Sequence, residues 1–270
     1  MKNLEALLEE EAHGFAGRVG YAITNTTTQE HIERNGDEFF PTASAIKLPI
    51  LTAFHSFVES GATSWTETTA IDLEFSLGGS GILQHLSVPQ LLYKDAAWLM
   101  ICLSDNLATN LLLRTMSLEE TNRLIHELID EDISVNNYAG FQPGSTSGSM
   151  GTATPSALGR YLDGLVEDRL PGAAATLAVA RQQFYQSSIP RYLPLDVFEP
   201  EAPGAIQIAH KGGSMPEVRT DIAVLKVRET TVTMAIMTAD SDDRTGNPQN
   251  EGERCIGRLA RLVYDSWLTK

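Results

Sequence analysis

Apolar residues recur at helical spacing through much of the first two thirds of the chain, and β-branched runs replace that pattern in the last third. Residues 2–13 read as an acidic amphipathic helix closed by Gly14. Gly17–Asn25 and Glu30–Arg34 alternate as two antiparallel strands would, and Asn35-Gly36 marks a turn. A helix that starts around Ser44 is predicted to run to about Ser60, with an apolar face of Ile46, Ile50, Leu51 and Phe54, ended by Gly61. An apolar helix spans Lys94–Leu103, the polar triplet Ser104-Asp105-Asn106 interrupts it, and helical character resumes over Leu107–Arg114. Ser117 with Glu120 makes a capping box for a helix ending near Ile129. Thr154-Pro155 reads as the cap and first residue of a helix to about Val166, and another helix is expected over roughly 172–185.

Ala205–Ala209, Asp221–Val227 and Thr231–Thr238 predict strands, and Glu251–Trp267 a closing helix. Strands at both ends of a helical middle imply one antiparallel sheet assembled from the two termini, an α/β architecture of the α+β type in a single domain. Residues 1–40 plus 195–270 are expected to form the α/β part and residues 41–194 an inserted all-helical part. Two segments stand outside the regular pattern. Leu77–Ile82 is a glycine-rich turn, explained equally by ligand approach or by turn geometry, and 130–153 is a longer loop than packing alone requires.

Composition narrows the partners. A chain of 270 residues, 42% of them hydrophobic, can bury a large core, and a formal charge of −15 repels phosphate backbones and anionic lipid. Neither nucleic acid nor membrane is therefore expected as a partner. Two cysteines without a C-x-x-C pattern and six histidines without tight ligand spacing imply no metal and no cofactor. The acidic start carries no apolar core or cleavage site of a signal peptide, so the sequence as it stands reads as cytoplasmic; an exported chain shorn of its signal would read the same.

Ser44 and Lys47 lie three residues apart, on one face of a helix, where an amine can activate a hydroxyl. A helix start also favours the negative charge of an oxyanion. A serine is equally an ordinary cap there, so the pair needs company. No G-x-S-x-G elbow, P-loop or dinucleotide fingerprint is present. Ser44 is, however, the one serine followed three residues later by lysine, and Ser104-Asp105-Asn106 and Lys211-Gly212-Gly213 occur once each, 60 and 167 residues beyond Ser44. In order and separation these resemble the S-x-x-K, S-D-N and K-T-G motifs of class A serine β-lactamases and penicillin-binding proteins. The likeness extends to Gly79–Leu83, Leu99–Asn110, Thr152–Pro155 and Arg219–Val224.

That resemblance implies a β-lactamase/transpeptidase-like fold, a monomer acting on a small-molecule substrate (a β-lactam, ester or short peptide), and a set of roles. Ser44 would be the nucleophile, Lys47 a proton acceptor and Ser104 a proton shuttle to the leaving nitrogen, with Lys211 supplying positive charge. The backbone N–H groups of Ser44 and Ser214 would form the oxyanion hole; Asn106, Gly212, Gly213, Ser214 and Arg219 would hold substrate, Arg219 by its carboxylate. The pattern breaks in two places. Lys211-Gly212-Gly213 lacks the threonine hydroxyl, and Ile133–Leu162 contains no Asp or Glu, although the family places a glutamate before the Thr-Pro helix. By spacing that position falls near Gly140, leaving Tyr138 or Gln142 to orient water. Acylation is expected to be intact and deacylation impaired. Three activities fit: a β-lactamase-like hydrolase, a related Ser/Lys esterase, amidase or D-amino-acid peptidase, and a protein that binds or traps a β-lactam or peptidoglycan fragment without turnover.

Overall fold

The structure is a computed structural model that describes residues 3–140, 149–183, 187–196, 198–200 and 202–269. Its centre is an antiparallel sheet built from both ends of the chain. Strand β1 (Arg18–Asn25) lies between β2 (Glu30–Arg34) and the last strand, and the order of all five is β2-β1-β10-β9-β8. The C-terminal members are β8 (Gln207–Met215), β9 (Val218–Val227) and β10 (Thr230–Ala239), with Arg18 opposite Ala239 and Gly212 opposite Asp221. The predicted five-stranded sheet is thus present, its C-terminal strands longer than their β-branched runs.

The period of two along these strands divides the core. Ala223, Leu225, Met234 and Ile236 face α1 (Leu4–His13) and α9 (Glu251–Val263), meeting Leu8, Ile256 and Leu259. Ile222, Val224, Ala235 and Met237 face the other way, toward α6 (Pro155–Val166) with Leu158, Tyr161 and Leu162. Both faces of β9 and β10 are therefore buried, which is why their sequences read as nearly continuous apolar runs.

The helical layer comprises α2 (Lys47–Glu59), α3 (Tyr93–Cys102), α4 (Asn106–Met116), α5 (Leu118–Leu128), α6 and α7 (Ala173–Ala180). Thr154 Oγ1 and Ser117 Oγ accept from Ala157 N and Glu120 N, as their capping patterns predict. Four differences from the sequence reading matter. The chain forms a 3₁₀ turn over Ala43–Ile46, so α2 begins at Lys47 and not around Ser44, and Pro49 falls among its first residues, where no intrahelical N–H is lost. The helix expected over 172–185 stops at Ala180, and a short α8 (Ser188–Tyr192) follows. The middle of the chain also contains short strands: β3 (Phe40–Pro41), β7 (Gly151–Ala153) and β6 (Ile133–Val135) pair in that order, and β4 (Thr68–Ala70) pairs with β5 (Gln90–Leu92). Finally, α9 ends at Val263 and the chain turns once more as a π-helix over Tyr264–Leu268.

Candidate active site

Ser44 is placed by contacts on both sides of the sheet boundary. Thr42 N donates to Gly151 O at 2.9 Å, Ala43 N to Ser149 Oγ at 3.2 Å, and Thr220 Oγ1 to Pro41 O at 3.1 Å, so β7 and β9 together fix the turn. Ala43 has a φ of +45° and Ser104 one of +52°, uncommon for residues with a Cβ and held here by the surrounding packing. Behind the turn runs β8. A Cβ on Gly213 would lie 2.5 Å from Ser44 N and 2.7 Å from Thr42 O. Glycine at 213 therefore lets the backbone of Ser44 lie against the strand.

The three motifs converge around Ser104. Lys47 Nζ donates to Ser104 O at 2.7 Å and Asn106 Oδ1 at 2.8 Å, and lies 3.2 Å from Ser104 Oγ. Lys211 Nζ donates to the same Oγ at 3.1 Å and to Gly212 O at 2.7 Å. Both lysines have no solvent exposure. Burial, with Lys211 adding repulsion, pushes the Lys47 ammonium well below the usual lysine pKa, while Asp105 opposes the shift. Burial likewise pushes Lys211 down to about 7, Asp221 opposing. Lys47 Nζ thus meets three oxygens, Ser104 O, Asn106 Oδ1 and Ser104 Oγ. Lys47 makes no hydrogen bond to Ser44, whose hydroxyl has no partner among the described residues and borders an open cleft of about 290 Å³.

The rest of the Ser-Asp-Asn motif is committed internally. Asp105 Oδ1 caps α4 at Ala108 N, and its Oδ2 accepts from Ile82 N at 2.7 Å and Leu83 N at 2.8 Å, pinning the glycine-rich turn to the helix. Asn106 Nδ2 donates to Gly78 O at 2.9 Å, so both ends of the amide expected to face substrate are already bonded. Arg219 is 4% exposed; Nη1 donates to Met215 O and Val218 O, Nη2 to Thr245 O, and Nε faces Glu253 Oε1 at 3.2 Å. Gly212, Gly213, Ser214 and Arg219 all border the cleft. Tyr138 does not: its ring packs edge-on against Phe75, centroids 5.8 Å apart. Gln142 lies outside the described residues.

Several cleft residues carry no motif and were not found from sequence. Ser187 Oγ donates to Asp221 Oδ2 at 2.8 Å and lies 3.3 Å from His210 Nδ1. A Cβ on Gly212 would be 2.3 Å from that Oγ, so the glycine that replaces threonine makes room for a hydroxyl arriving from another segment. Asp221 also accepts from Ile189 N at 2.8 Å. Arg191 and Glu253 complete this end of the cleft. The one signal available in sequence was Asp221, the single carboxylate of β9.

A serine beside two buried, pKa-depressed lysines, on an antiparallel sheet backed by helices, defines a serine-hydrolase scaffold. The chain belongs to the Beta-lactamase enzyme family, whose sequence model matches residues 2–267. Among solved structures it is similar to a beta-lactamase from Sphaerobacter thermophilus DSM 20745, with 28% identity, 98% of this chain and 97% of that one covered, and a TM-score of 0.86. It also resembles PBP-A, at 23% identity, 99% and 96% coverage and a TM-score of 0.83. The ancestral (GNCA) class A beta-lactamase shares the fold at 22% identity, 98% and 100% coverage and a TM-score of 0.82. A comparison with curated protein sequences found no match. Among the described residues no helix is long and apolar enough to cross a membrane.

Proposed function

We propose that the protein opens β-lactam amides through an acyl-enzyme on Ser44 and releases the product slowly. The observation that carries this reading is the Ser104 hydroxyl held between Lys47 and Lys211 at 3.2 and 3.1 Å, with a Ser44 hydroxyl that has no partner among the described residues. Ser44 Oγ attacks the lactam carbonyl carbon, and its proton passes to the neutral Lys47 amine. The backbone N–H groups of Ser44 and Ser214 receive the oxyanion, one such donor being worth about 3 kcal/mol. Collapse of the tetrahedral intermediate breaks the C–N bond. Ser104 hands its proton to the departing nitrogen and is reprotonated from Lys47, the Lys211 ammonium steadying the hydroxyl throughout.

Slow release follows from the loop. No carboxylate occurs from Ile133 to Leu162, and a general base of that kind typically contributes about 10²- to 10⁴-fold. Gly140, the position expected to hold one, has a φ of +132° and lies so close to Leu77 that a Cβ would sit 2.3 Å from Leu77 Cβ. A PBP-A variant, at 24% identity, forms an acyl-enzyme complex with penicillin G; the same adduct is expected here on Ser44. The loop also favours a second reading, hydrolysis of esters or D-amino-acid peptides, whose acyl groups leave more readily.

Intact-mass spectrometry after mixing with penicillin G decides the matter. The expected result is a mass increase of one whole penicillin, absent in Ser44→Ala and lost over minutes to hours. No adduct, together with Ser44-dependent release from p-nitrophenyl esters or D-alanyl peptides, would establish the second reading instead.

A further inference from the structure

Three cations border the cleft, and two of them are largely committed to partners within the protein. Lys211 is fully buried, with two of its three hydrogens on Ser104 Oγ and Gly212 O. Arg219, expected to hold a substrate carboxylate, spends Nη1 and Nη2 on three backbone carbonyls and turns Nε to Glu253. Arg191 differs: its side chain is 34% exposed, and among the described residues its sole polar contact is Nη1 to Glu253 Oε2 at 3.5 Å, at the outer limit of a hydrogen bond. Its guanidinium therefore presents free donors at the cleft in the fork geometry that matches a carboxylate.

The segment bearing Arg191 is held from beneath. Asp221 Oδ2 accepts from Ser187 Oγ and Ile189 N, and Glu253 Oε2 accepts from Ser188 Oγ at 2.7 Å. Tyr192 lies against Gly257 of α9, where a Cβ would be 2.2 Å from Tyr192 Cδ2. Two buried carboxylates and a helix contact thus fix α8 before any ligand arrives. The charges agree with this assignment. Glu253 is the closer partner of Arg219, at 3.2 Å against 3.5 Å for Arg191, so two arginines and one glutamate leave one positive charge, carried by the arginine with free donors.

We propose that Arg191, and not Arg219, grips the carboxylate of an acidic substrate in this cleft. The word substrate rests on the hydrolase reading above; the anion site itself does not. The test compares acylation of Ser44 by penicillin G with acylation by its methyl ester, in wild type, Arg191→Gln and Arg191→Lys, with thermal melts to check folding. The acid-to-ester rate ratio should fall at least tenfold in Arg191→Gln and be partly kept in Arg191→Lys, while the ester rate stays near wild type. A ratio within threefold of wild type in Arg191→Gln overturns the assignment, whatever happens to the absolute rates. If neither compound acylates the wild type, the hydrolase reading fails and the anion site is judged by NMR titration with benzoate and benzamide. Tighter binding of benzoate, lost in Arg191→Gln, then upholds it; equal binding of the two by wild type sinks it.

Discussion

Lys47 and Lys211 share Ser104 but differ in what surrounds them, and the difference sets a pH dependence. Acylation as proposed needs Lys47 neutral and Lys211 charged. The Lys47 pKa lies well below the usual value and that of Lys211 near 7, so the acylation rate should fall as pH rises through about 7. Asp221 raises the Lys211 pKa. Asp221→Asn, which keeps an acceptor for Ser187 and Ile189, should therefore move that limb to lower pH. A stopped-flow pH profile with a chromogenic cephalosporin measures it, and an unmoved limb would assign the titration elsewhere. At this scale the sequence revealed the reactive hydroxyls and amines but not their partners. The commitment of Asn106 to Lys47 and Gly78, and of Arg219 to Glu253, depends on residues 28 to 59 positions away, which no local pattern carries.

The helices and the central sheet were legible because each buries a face wide enough to impose its period over several turns or strand residues. The segment Phe40–Pro41 and the three-residue strands β6 and β7 are too short for any period, yet they hold the turn that carries Ser44. The joint between α4 and the glycine-rich turn is similar. Asp105 alone satisfies the N–H groups of Ile82, Leu83 and Ala108. Asp105→Ala should destabilise the protein by about 3 kcal/mol in urea unfolding, Asp105→Asn by about 1 kcal/mol, since the amide oxygen can still cap α4. The loop before α6 offers a contrasting case. Gly140→Glu places a carboxylate at the expected point in the chain, but its Cβ collides with Leu77 in a backbone region suited to glycine. The substitution should lower the melting temperature and leave release of the Ser44 adduct no faster, as timed mass spectra would show.

For the molecule as a whole, two fully buried lysines at the site oppose folding. Unfolded, each keeps its proton up to a pH of about 10.4; folded, Lys211 releases it near 7. Between these values the unfolded state binds more protons, so stability rises with pH, by at most about 1.4 kcal/mol per unit for each lysine. Lys211→Met should flatten that slope and raise stability at neutral pH while abolishing acylation. The charge of −15 acts at longer range. Screening it, by raising salt from about 0.01 M to about 0.15 M, should speed acylation by penicillin G about two- to threefold and leave the methyl ester unaffected. The sheet has a further consequence, in the order of events after synthesis. Strand β1 pairs with β10 in a register that sets Arg18 opposite Ala239, and β10 separates β1 from β9. A nascent chain that has left the ribosome as far as Asp196 holds β1 and β2 but no strand to lay beside them. The N-terminal hairpin must wait, one apolar edge unpaired, for the last quarter of the chain, so closure of the sheet is a late, long-range and slow step that a holding chaperone would protect.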